Sequence, residues 1–136
     1  MTDLFKLSVP GKPEYVSTVR MTAAALASTA GFDVEAIDDI KVAVSEACTN
    51  VVRHGTKESN DYEVSFDLSE EQMAISIADE AGGYDVSGYR VPEPDCPKEG
   101  GLGIFIIRAL MDEVEIVSKP GLGTKIRMVK YVQKQE

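Results

Sequence analysis

Five stretches of this chain alternate apolar and polar residues with a period of two, and three others repeat their apolar residues at helical spacing. Phe5, Leu7 and Val9 share one parity before Pro10 and Gly11, which predicts a first strand over 4–9. Val16, Val19, Ala23 and Leu26 mark a helix from Pro13 to about Ala30, with Pro13 suited to a first turn and Gly31 to a stop. A second helix opens at Asp33, whose side chain can cap free amides while Phe32 and Ile37 form a hydrophobic staple; it runs to about His54, before Gly55. Tyr62, Val64, Phe66 and Leu68, then Met73, Ile75 and Ile77, predict two strands joined by a turn at Ser69 to Gln72. Leu102 to Met111 reads as a short apolar helix entered from Gly100 to Gly103. Val114 and Ile116, then Thr124, Ile126 and Met128, predict two last strands around a turn from Lys119 to Gly123. Residues 80–100 are rich in glycine and proline, show no clean period, and read as a loop or lid. The order predicts an α+β fold: one domain over 1–136, with helices on one face of a mixed, mainly antiparallel sheet.

Composition narrows the function classes. At 136 residues the chain can bury a core without staples, and none of its apolar runs approaches the roughly 20 residues of a membrane span. The opening MTDLFKLSVP lacks a basic region followed by an apolar core, so no secretory leader is read and a cytoplasmic location is expected. Cys48 and Cys96 belong to no metal-spaced pair and read as reduced thiols. A net charge of −9 argues against nucleic acid and for a protein partner. Any phosphate ligand must then be held by backbone amides, a metal ion and a few local cations.

Candidate chemistry gathers at four places. At steps of about 100°, Ile37, Ile40, Val44, Cys48 and Val51 fall on one side of the second helix, and Asp39, Ala43, Glu46, Asn50 and Arg53 fall roughly opposite. Glutamate can act as a general base or hold a metal, and an amide oxygen is a hard ligand suited to Mg²⁺. Asp79 shares the parity of Met73, Ile75 and Ile77, so a strand that points apolar residues at the core ends by pointing a carboxylate the same way. Such a carboxylate must reach water or meet a donor, and a base amine would serve. Gly100, Gly101, Leu102 and Gly103 stand at a helix start, where free amides can hold a phosphate. Thr124 puts a hydroxyl on the inward parity of the last strand.

Taken in order, VSEACTNVVRHG, ADEAGG, GGLGIFII and GLGTKI resemble the Asn helix, the first and second glycine boxes and the closing Gly-Thr strand of the GHKL (histidine-kinase-like) ATPase superfamily. PGKPEYVSTVRMTAAALA and RALMDEVEI resemble the stand-alone anti-sigma factor serine/threonine kinases within it. The resemblance implies the two-layer α/β sandwich of the Bergerat type, with ATP and Mg²⁺ as cofactors. It implies Glu46 as general base, Asn50 as Mg²⁺ ligand, and Asp79 as acceptor for the adenine amine. Gly83, Gly101, Leu102, Gly103, Thr124 and Arg53 complete the implied nucleotide site, with an ATP lid over about 84–99 that carries Arg90 and Lys98. His54 reads as a packing or capping residue rather than a phosphoacceptor.

The implied activity is an anti-sigma factor that phosphorylates an anti-anti-sigma (STAS-domain) protein and sequesters a sigma factor, as a homodimer. No direct nucleic-acid or membrane partner is expected. Arg20, a cation in a small apolar stretch, marks the first helix as a partner surface. One position departs from the pattern: Ala81 stands where the first glycine box has its first glycine, and a positive φ there would cost about 1 kcal/mol. That departure motivates an alternative, a nucleotide-binding module that regulates by sequestration alone.

Overall fold

The computed structural model describes residues 2–54, 61–79, 101–119 and 123–133. Strand β1 (Asp3–Val9) leads through a 3-10 turn at Pro13–Tyr15 into helix α1 (Val16–Ala30), and helix α2 (Val34–His54) follows. Strands β2 (Tyr62–Leu68) and β3 (Gln72–Asp79), helix α3 (Gly101–Leu110), and strands β4 (Glu113–Lys119) and β5 (Gly123–Tyr131) come next.

The corner between α1 and α2 forms as its residues dictate. Gly31 takes φ 96°, and the Phe32 amide reaches back to the Ala27 carbonyl at 3.1 Å, closing α1 with a left-handed residue. Asp33 Oδ1 then accepts the Ala36 amide at 2.8 Å, capping α2, while Phe32 is buried and Ile37 packs against the core. In the β2–β3 turn, Ser69 Oγ accepts the amides of Glu71 and Gln72, each at 3.2 Å.

The strands lie in the order β1-β2-β3-β5-β4, and every neighbouring pair is antiparallel. The expected mainly antiparallel sheet is thus seen, and no parallel pair occurs among the described strands. β3 and β4, joined through α3, do run parallel, but β5 inserts between them and pairs with both. Inward residues Tyr62, Val64, Phe66, Met73, Ile75, Ile77, Ile126 and Met128 form the core with α1, α2 and α3. The opposite face presents Lys6, Glu63, Glu115 and Lys125 to solvent. β1 keeps the expected parity, but Phe5 is 46% exposed and only Val9 is buried, because β1 is the sheet edge.

Lys130 anchors α3. Its ammonium donates to the Leu110 carbonyl at 2.5 Å and to Asp39 Oδ2 at 3.4 Å, so one cation on β5 caps the last turn of α3 and ties it to α2.

Candidate functional site

Helix α2 meets three surroundings with three ridges. Ile40, Val44, Cys48 and Val51 enter the core. Burial pushes the Cys48 thiol up to about 12, against a smaller opposing pull from Tyr62, so it stays protonated and is no nucleophile. The enclosed Tyr62 hydroxyl lies nearby but makes no well-formed hydrogen bond.

The second ridge carries Ala43, Glu46 and Asn50. Its helical phase sets it opposite the core stripe, yet it is not open to water: Ala43 is buried, Asn50 is 3% exposed, and Glu46 is half-buried. The reason is tertiary, because α2 also packs against α3. The Glu46 carboxylate lies against the first turn of α3, where a Cβ placed on Gly103 would stand 2.9 Å from Oε2.

Asp79 ends β3 and faces Thr124 of β5 directly across the ladder. Both follow the parity of the core residues and are 6% and 3% exposed. With Asn50, they are the buried polar or charged residues among the described ones. A hidden carboxylate is costly unless it is partnered, and none of Asn50, Asp79, Thr124 and Arg53 is without a partner. α2 packs on both β3 and β5, so the helix bearing Asn50 adjoins the two strands bearing Asp79 and Thr124.

Gly101 opens α3, and Leu102 beside it is 49% exposed. Gly83, Ala81, Arg90, Lys98, Cys96 and the lid over 84–99 lie outside the described residues, as does the His54 side chain. No three His, Cys, Asp or Glu side chains gather as a metal cluster among the described residues. None of the described helices is long and apolar enough to cross a membrane.

On the third ridge, Ser45, Thr49 and Val52 had no role in the sequence reading, while Arg53 was read as part of the nucleotide site. The ridge forms one wall of a cleft of about 820 Å³, and Pro13, Glu14, Ser17 and Arg20 form the other. Arg53 and Arg20 therefore line the same cleft. The signal was in the sequence: Ser45, Thr49 and Val52 recur at spacings of four and three.

Comparison with known proteins places these features in a family. Residues 9–130 match the model of the histidine kinase-like ATPase domain. The chain is 38% identical to the serine-protein kinase RsbW of Halalkalibacterium halodurans, over 98% of this chain and 86% of that one. It is 40% identical to the protein of the same name from Oceanobacillus iheyensis, over 98% and 90% of the two chains. Among solved structures, a Mycobacterium tuberculosis protein with RsbU and RsbW domains superposes with a TM-score of 0.72 at 20% identity, covering 97% of this chain and 33% of that one.

Proposed function

The chain belongs to the histidine kinase-like ATPase domain family, within its serine-protein kinases, and on that premise we propose how its residues carry the reaction and which partners it serves. It is a protein-serine kinase and anti-sigma factor. The substrate in this reading is a serine hydroxyl on a small anti-anti-sigma (STAS-domain) protein, and the phosphoryl donor is ATP. One observation carries the assignment: Asn50, Asp79 and Thr124, drawn from three separate motifs, are the polar or charged residues that this fold buries among those described.

Asp79 accepts a hydrogen bond from the adenine amine, and its register partner Thr124 adds a second polar contact. The amides of Gly101, Leu102 and Gly103, at the start of α3, receive the phosphates together with Gly83 and Arg53. The buried amide of Asn50 offers Mg²⁺ one hard oxygen, which fits a metal that takes one or two protein ligands and completes its shell with phosphate oxygens and water. Bound there, Mg²⁺ supplies neutralisation of charge on the phosphates. Glu46 takes the proton from the serine hydroxyl as its oxygen attacks the γ-phosphorus of ATP, whose bond to the β-phosphate oxygen breaks so that ADP leaves.

Phosphorylation adds nearly two negative charges to the substrate, and a kinase of net charge −9 then repels its product. Release of that product frees the kinase for a sigma factor. The cleft between α1 and α2, with Arg20 and Arg53 on its walls, is the partner surface in this reading, and the kinase acts as a homodimer.

Calorimetric titration with ATP and ADP, with and without Mg²⁺, tests the pocket. Mg²⁺-dependent binding that is lost in Asp79→Asn supports it; equal binding by the variant overturns the adenine role. Binding without transfer to any STAS-domain partner returns the account to sequestration alone.

A further inference from the structure

Gly103 stands in the first turn of α3 with no conformational reason to be glycine. Among the described glycines only Gly31 and Gly123 adopt a positive φ, so the Gly103 backbone is one that any L-residue accepts. Glycine is, after proline, the poorest helix former, and α3 has only ten residues over which to spread that penalty. A compensating reason must therefore be spatial.

The space is specific. A Cβ built on Gly103 meets Glu46 Oε2 at 2.9 Å, and its next neighbours, at 3.9 Å, are Glu46 Cβ and Cδ. All three nearest atoms belong to one side chain. Oε2 is the mobile end of that side chain, so a methyl group at 103 is accommodated by moving the carboxylate, with the two helices left in place.

We propose that Gly103 is a positioning residue for the Glu46 carboxylate: its missing side chain is the seat that holds the base against the first turn of α3. This rests on the reading of Glu46 as the base. It assigns Gly103 a task distinct from phosphate contact, which uses its backbone amide rather than its lack of a side chain. The α3 N-terminus favours a negative group at that seat, and Lys130 fixes the far end of the same helix, so the seat keeps its place relative to α2.

The test is Gly103→Ala in the full chain. Its unfolding midpoint is expected to hold or rise, its ATP affinity to stay within about twofold, and its kcat to fall about tenfold or more, as displaced catalytic groups do. In a Glu46→Asp background, where the carboxylate is withdrawn by one methylene, adding Gly103→Ala should cost kcat less than about twofold. Weakened ATP binding with kcat intact overturns the proposal in favour of a phosphate role, and so do losses that simply multiply in the double variant. The contact is read separately from the Glu46 carboxyl carbon resonance, which should shift in Gly103→Ala; an unmoved resonance overturns the packing. Full transfer by Glu46→Gln instead overturns the base reading, so the two failures are told apart.

Discussion

Gly31, at the corner between α1 and α2, and Gly103, in the first turn of α3, lack a side chain for opposite reasons. At Gly31 a Cβ would meet nothing within 4 Å, but the backbone is left-handed at φ 96°. At Gly103 the backbone is ordinary and the room is missing. The first glycine serves the shape of the chain, and the second serves a neighbouring carboxylate. The corner should therefore govern stability and leave the chemistry alone, while the α2–α3 contact should do the reverse.

The sharpest separation comes from Glu46→Gln. Loss of a general base should lower transfer to the partner by about 10²- to 10⁴-fold while the unfolding midpoint stays within about 0.5 kcal/mol of wild type, read by phosphoserine formation and urea titration. A stability loss that accounts for the lost transfer would break the comparison.

The core beneath both regions supplies the next effect. Cys48 is raised from 9.0 to about 12 in the fold, so the folded state holds its proton where the unfolded chain has released it. Its stabilising share is complete below pH 9 and is lost as pH rises toward 12, reaching roughly 4 kcal/mol by the end of that window. Urea midpoints should fall steeply above pH 9, and Cys48→Ala should flatten that slope without touching transfer at neutral pH.

Smaller effects belong to the corner. Gly31→Ala forces a side chain into left-handed backbone and should cost about 1–2 kcal/mol in urea unfolding, with kcat unchanged. Asp33→Ala removes the acceptor of the Ala36 amide and should cost about 1 kcal/mol, again with kcat unchanged. A change in transfer by either variant would show that the corner and the site are coupled.

Much of the scaffold was legible because its signals are local. The parity of Tyr62 to Leu68 and of Met73 to Ile77, the Asp33 cap and the Gly31 stop each depend on residues a few positions apart, and the structure keeps them. Less legible was whatever depends on which element covers which. Periodicity identified the ridge of Ala43, Glu46 and Asn50, but its burial follows from α3, which arrives about fifty residues later. The same limit hid the insertion of β5 between β3 and β4, since the alternation of Ile126 and Met128 fits any position in the sheet. At the site, Asp79 and Thr124 were visible as polar residues on an inward parity, but their pairing across one ladder needed the register. The contact of Glu46 with Gly103 joins two helices and left only an indirect trace, a glycine at a helical position with no turn to make.

The strand order also sets a timetable for synthesis. A chain emerging from the ribosome can pair β2 and β3 early as a local hairpin, and β1, held across α1 and α2, can join them before the later strands appear. β4 then emerges with no neighbour, because its pairing partner in the sheet is β5. Only when residues 123–131 follow does a single strand zip against β3 on one side and β4 on the other. The same strand brings Thr124 opposite Asp79 and Lys130 beneath α3. A nascent chain short of β5 thus exposes an unfinished sheet edge and has no assembled nucleotide site, so competence arrives late and all at once.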